Sequence, residues 1–107
     1  VDREIVERRT IWQREKARRV ADDAGRGISA AAVMAALSEH VADDAVIAVD
    51  VGNNTYSFGR YFEASGRQDV VMSGYLGSIG FGYPAAMGAW AATQEDDPRF
   101  AGDALAW

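Results

Sequence analysis

Between Ser73 and Ala89 the chain reads S-G-Y-L-G-S-I-G-F-G-Y-P-A-A-M-G-A, with Gly74, Gly77, Gly80 and Gly82 recurring every two or three residues. Each glycine costs conformational entropy on folding. Such density makes sense where main chain must take φ > 0 or come close to something flat or charged. A short β-type run, Val70-Val71-Met72, precedes the loop, and Pro84 opens a small, apolar helix running through Ala92. Strand, glycine loop and helix N-terminus together present backbone N–H groups to a ligand. Spacing alone equally allows a tight loop that lets a small-residue helix pack close to a sheet.

A second stretch with polar chemistry is Asp50-Val51-Gly52-Asn53-Asn54-Thr55, directly after the apolar run Ala45–Val49. Polar residues just beyond a buried strand are where α/β folds place their ligands. Asp50 reads either as a site carboxylate or as a turn former. No neighbouring acid or histidine in sequence completes a general acid–base pair with it. Asn53 or Asn54 can cap the following helix as well as face a ligand. The sole histidine, His40, falls at a helix C-terminus, where a dipole partner is the ordinary role. With no cysteine, thiolate nucleophiles, thiolate metal sites and disulfides are excluded. No residue stands out as a catalytic acid, base or nucleophile.

The elements that must position these stretches follow from periodicity. Asp2–Arg19 is a charged helix with Arg3/Glu7 and Glu4/Arg8 at i, i+4, and its apolar stripe (Ile5, Val6, Ile11, Trp12) is too narrow for a core helix. It reads as a surface or connecting arm, set off by the break from Ala21 to Gly27. Ser29 has the character of an N-cap, and Ala30, Val33, Met34, Leu37 and Val41 mark a helix with one buried face. The continuous apolar run Ala45–Val49 suits a strand covered on both faces, as in a parallel sheet. A helix over Thr55–Phe62, the Val70–Met72 strand and the Pro84 helix complete the pattern. The fold class is therefore α/β, a partial parallel sheet flanked by helices. Residues 1–27 form a helical linker arm and residues 28–107 a partial ligand-binding domain. Two strands are few for such a sheet, which usually has four or more.

The chain's 107 residues suffice for one small domain. A net charge of −5 argues against a nucleic-acid surface. No apolar run approaches the roughly 20 residues of a membrane span, and the charged start is unlike a signal peptide. A reducing, cytoplasmic setting fits this composition.

Asp50-Val51-Gly52-Asn53, followed by Ser73-Gly74-x-x-Gly77-Ser78-Ile79-Gly80-x-Gly82-Tyr83-Pro84-Ala85-Ala86-x-Gly88-Ala89, resembles the diphosphate-binding C-terminal domain of thiamine diphosphate-dependent enzymes. The branch it is most similar to holds pyruvate oxidase, pyruvate dehydrogenase (quinone) and acetolactate synthase large subunits. The likeness runs from about Ile28 to Ala92, and the lead-in around Trp12 resembles the linker before that domain. It implies an enzyme that decarboxylates pyruvate or a related 2-oxo acid and passes the resulting carbanion/enamine to an acceptor. It implies thiamine diphosphate and Mg²⁺ as cofactors, with FAD an option in the parent enzyme, and a homo-oligomer formed through the parent's subunit interface. By the same resemblance the Gly77 carbonyl accepts from the amino group of the aminopyrimidine ring. The Ile79 N–H donates to a ring nitrogen, and the Ile79 side chain wedges under the thiazolium. Gly74 and Ser78 complete the loop, and Gly52, Asn53 and Asn54 face the diphosphate.

Three features depart from that family. Its magnesium motif is Gly-Asp-Gly with an asparagine some way downstream, whereas Gly102-Asp103 is followed by Ala104 and the sequence ends at Trp107. The family places a buried strand before that motif, and Phe100-Ala101 is too short to supply one. Its activating glutamate lies in a separate N-terminal domain. Asp103 is therefore not assigned as a metal ligand and the metal site stays unknown. The chain reads as a truncated domain with weak or no cofactor affinity of its own. The competing expectation is a non-catalytic interaction module in which the sheet edge, Met87 and Trp90 favour self-association. A Rossmann half fits less well, because Gly77-x-x-Gly80-x-Gly82 reverses the G-x-G-x-x-G order.

Overall fold

The computed structural model describes residues 2–22, 25–94 and 104–106. Its elements are α1 (Asp2–Ala21), α2 (Ala30–His40), β1 (Val46–Val49), α3 (Asn53–Tyr61), β2 (Asp69–Met72), α4 (Gly82–Gln94) and β3 (Ala104–Ala106). The sheet order is β2-β1-β3 with both pairings parallel, so the fold is α/β with a parallel sheet flanked by helices.

β1 is central because its sequence lets both of its faces be covered. Ile47, Ala48 and Val49 are buried, which an uninterrupted apolar run requires. Ile47 and Val49 join Ala31 and Met34 of α2, Ala45, and Phe58 and Tyr61 of α3 in one core cluster. Ala48 points to the opposite face by the two-residue period of a strand, and α4 packs against β1. Helix α2 starts where Ser29 accepts the Ala32 N–H at 3.1 Å, the N-cap bond expected from sequence. Its Ser38 hydroxyl donates to the Met34 carbonyl and accepts the Glu63 N–H, tying α2 to the chain leaving α3.

The charged helix α1 is exposed along most of its length, as its narrow stripe predicts, with one exception. Lys16 is buried and donates to Glu63 at 2.7 Å, Gln13 reaches the same carboxylate, and Trp12 stacks on Tyr61 with centroids 6.1 Å apart. Lys16 holds the Glu63 carboxyl below the usual range, aided by Gln13. Arg18 and then Arg19 pull Glu15 down to about 2.

Two helix starts and the number of strands differ from the sequence reading, besides shifts of one or two residues at other ends. Helix α3 begins at Asn53, with Gly52 rather than Asn53 or Asn54 as its N-cap. Helix α4 begins at Gly82, which puts Pro84 inside the first turn, where the missing N–H is tolerated. A third strand, β3, extends the sheet beyond the two expected, pairing Ala104 with Val46 and Ala106 with Ala48. Gly102 and Asp103 lie outside the described residues.

Candidate functional site

Val49 and Met72, the last residues of β1 and β2, are register partners in a parallel pair. The turns that follow, residues 50–52 and 73–81, therefore emerge at the same end of the sheet, the carboxyl end where open α/β sheets bind ligands. Parallel pairing thus joins two polar stretches that lie more than twenty residues apart in sequence.

The junction is made by Asp50. Its Oδ1 accepts the Val51 N–H at 2.6 Å and, thirty residues on, the Gly80 N–H at 2.8 Å. Those two amides, Val51 first, hold the Asp50 carboxyl below the usual aspartate range, with smaller help from the Gly82 and Phe81 amides; partial burial pushes the other way. Of the two roles open to it, Asp50 shows that of a turn former: its carboxylate collects the main-chain amide of Val51 in its own turn and that of Gly80 in the glycine loop. Gly82 makes that approach feasible. A Cβ there would stand 3.0 Å from the Asp50 Cβ and 3.2 Å from its backbone nitrogen.

On the β1 side, Thr55 closes the turn by accepting the Gly52 N–H at 3.1 Å and donating to the Asp50 carbonyl at 2.6 Å. The Asn54 amide group donates to the same carbonyl at 3.3 Å. Asn53 and Asn54 are the first two residues of α3, so Gly52, Asn53 and Asn54 stand together at the helix end that attracts anions.

On the β2 side the loop stands open to solvent. Ile79 is 84 % exposed and Tyr75 98 % exposed, and Leu76 is also exposed. Gly77 and Gly80 have φ of 58° and 92°, the left-handed region in which glycine alone is unstrained. The Gly77 N–H donates to the Ser73 carbonyl, the Ser78 N–H to the Ser73 hydroxyl and the Phe81 N–H to the Ser78 carbonyl. Among the described residues, the Gly77 carbonyl and the Ile79 N–H have no hydrogen-bond partner. An acceptor and a donor two residues apart thus stand open beside an exposed aliphatic side chain. Gly74, whose N–H donates to the Met72 carbonyl, sits at the loop's start.

The structure thus brings Gly52, Asn53, Asn54, Gly74, Gly77, Ser78 and Ile79 to one end of the sheet. His40 lies elsewhere, its Nδ1 2.8 Å from the Ala36 carbonyl in the last turn of α2. Among the described residues no three acidic, histidine or cysteine side chains cluster to hold a metal ion, so no metal ligand is assigned. The Asp50–Gly80 contact and the Ser73 hydroxyl bond were missed by sequence reasoning, since neither leaves a local pattern.

A parallel sheet whose carboxyl end carries a glycine loop and a helix N-terminus defines a ligand-binding domain of the α/β class. The family model described as "Thiamine pyrophosphate enzyme, C-terminal TPP binding domain" matches residues 50–104, and the chain belongs to that family. Over 57 residues (53 % of this chain) it is 44 % identical to the protein YdaP of Bacillus subtilis (strain 168), whose name describes it as thiamine pyrophosphate-containing. Over 53 residues (50 % of this chain) it is 36 % identical to the acetolactate synthase large subunit of Lactococcus lactis subsp. lactis (strain IL1403). The matched segments span 10 % and 9 % of those two relatives.

Proposed function

We propose that this chain supplies the cofactor-gripping surface of a thiamine diphosphate-dependent enzyme that decarboxylates pyruvate or a related 2-oxo acid and transfers the remaining fragment to an acceptor. The observation that carries this is the open pair on the loop, the Gly77 carbonyl and the Ile79 N–H, beside a solvent-facing Ile79 side chain. Bound thiamine diphosphate supplies the electron sink that makes loss of CO₂ from a 2-oxo acid feasible. The chain's own part is proximity and orientation. Gly77 and Ile79 would read the ring edge by main chain, the Ile79 side chain would wedge against the bound cofactor, and Gly52, Asn53 and Asn54 would receive the diphosphate at the start of α3. Residues 1–27 serve as the connecting arm and residues 28–107 as the binding domain. Mg²⁺, a flavin and subunit pairing would belong to the whole protein.

Thiamine diphosphate-dependent CO₂ release from pyruvate and other 2-oxo acids, measured on the protein with its remaining domains, tests this reading. Ile79→Asp should abolish turnover while leaving the protein folded. Undiminished turnover would remove the wedge from the mechanism.

A second reading, an interaction module, draws on a different surface. β2 is exposed at all four residues, and Tyr83, Met87 and Trp90 stand exposed on α4. Between them lies an apolar groove of about 480 Å³ lined by Val70, Val71, Phe81, Ala85 and Ala89 among others. Concentration-dependent self-association without cofactor-dependent activity would favour this reading.

A further inference from the structure

The loop's open groups each belong to a peptide whose other pole is tied inside the protein. In a trans peptide the C=O and N–H point in opposite directions, and the described residues contain no cis bond. The Gly77–Ser78 peptide has its N–H on the Ser73 hydroxyl at 3.0 Å, so the Gly77 carbonyl is directed away from Ser73. The Ser78–Ile79 peptide has its carbonyl on the Phe81 N–H at 3.3 Å, which turns the Ile79 N–H the other way. The next peptide, Ile79–Gly80, is held at its N–H by Asp50 at 2.8 Å, and this closes the turn from Ser78 to Phe81. Ser73 and Asp50 are the first residues after Met72 and Val49, the register partners that end β2 and β1. Both side chains are half-buried between their strand and the loop.

We propose that Ser73 and Asp50 are positioning residues that set the outward polarity of the glycine loop, Ser73 by aiming the Gly77 carbonyl and Asp50 by fixing the turn that aims the Ile79 N–H. They act on a flat heterocycle with adjacent donor and acceptor atoms, which rests on the cofactor reading above. Neither residue touches the ligand; each acts through a peptide plane. The geometry separates their effects: Ser73 governs the acceptor and Asp50 the donor.

The test combines a ligand-free readout with a binding readout, both on the protein with its remaining domains. Amide hydrogen exchange in the labelled protein should accelerate at Ser78 in Ser73→Ala and at Gly80 in Asp50→Ala, each by roughly fivefold or more, the equivalent of one ordinary hydrogen bond. Ser73→Thr and Asp50→Asn, which keep an acceptor in place, should restore protection. Chemical-shift titration with millimolar thiamine diphosphate should show affinity falling by a similar factor in the two alanine variants and recovering in the conservative ones. Unchanged exchange at Ser78 and Gly80 would overturn the pinning while leaving the cofactor reading intact. Faster exchange with unaltered affinity would reduce both residues to a purely structural role. Loop resonances of the wild type that ignore thiamine diphosphate altogether would overturn the cofactor reading and the affinity claim with it, whatever the exchange data give.

Discussion

At Gly82 a single hydrogen atom decides whether α4 can approach β1. The Cβ of an alanine would stand 3.0 Å from the Asp50 Cβ, 3.2 Å from its nitrogen and 3.3 Å from its Cα. Two of those atoms are backbone and cannot step aside, so Gly82→Ala should destabilise by about 1–3 kcal/mol, as overpacking does. Urea unfolding checks this; an unaltered midpoint would mean the helix start shifts freely. Asp50 itself carries a pH signature. Its folded-state pKa is depressed, so its contribution is fully present above the usual aspartate value of about 3.9 and is lost as pH falls through the lowered folded value. The Gly80 amide shift followed against pH should therefore turn over below the ordinary aspartate range. A midpoint at or above that range would deny the contact. From sequence, Asp50 showed only that something polar follows a buried strand. Its partner is thirty residues away, and no periodicity marks a carboxylate that binds main chain.

Helices and the two longer strands were legible in sequence because each carries a pattern over enough residues. The α2 stripe and the β1 run are examples. The β1 run proved buried where expected; on the α2 stripe Met34 is buried and Val33, Leu37 and Val41 are partly so, while Ala30 is exposed and its neighbour Ala31 is buried instead. The third strand was not legible, since Ala104-Leu105-Ala106 is too short to show a period and becomes a strand only by pairing with β1. The α3 cap was misread for a local reason. Thr55 satisfies the Gly52 N–H from within the first turn, and Asn54 turns its amide group to the Asp50 carbonyl, so neither asparagine is needed at the cap. The α2 cap was read correctly, and Ser29→Ala should cost about 1 kcal/mol of stability by thermal or urea unfolding. The seating of α1 gives a sharper element-scale prediction. Lys16 is buried and Glu63 is largely exposed, with 10 % and 57 % side-chain exposure respectively. Deleting the carboxylate strands a buried ammonium, while replacing the ammonium by an apolar chain strands almost nothing. Glu63→Ala should therefore loosen α1, seen as faster amide exchange over its second half, whereas Lys16→Met should leave it nearly unchanged. Equal effects would show that the pair contributes only as an exposed salt bridge, worth about 0–1 kcal/mol.

For the molecule as a whole, the question is how strongly this surface alone can hold a charged cofactor. On the proposed reading, the diphosphate end of thiamine diphosphate meets the start of α3, where amides and the helix dipole contribute about 0.3–1 kcal/mol per favourable charge. The chain works against this with a net charge of −5. Its cationic side chains concentrate on α1, where Arg8, Arg18 and Arg19 are engaged with Glu4 and Glu15 and Lys16 with Glu63. Nor do the described residues gather three acidic groups around a cation that would neutralise the phosphates. The ring end fares better, because the loop presents its donor and acceptor already aimed, but two hydrogen bonds at about 1 kcal/mol each do not reach micromolar affinity, which needs about 8 kcal/mol. Calorimetric titration of the isolated chain with thiamine diphosphate and Mg²⁺ should accordingly give a dissociation constant weaker than micromolar. Micromolar binding at a stoichiometry near one would show that the phosphates find a stronger partner than α3 and the glycine loop provide.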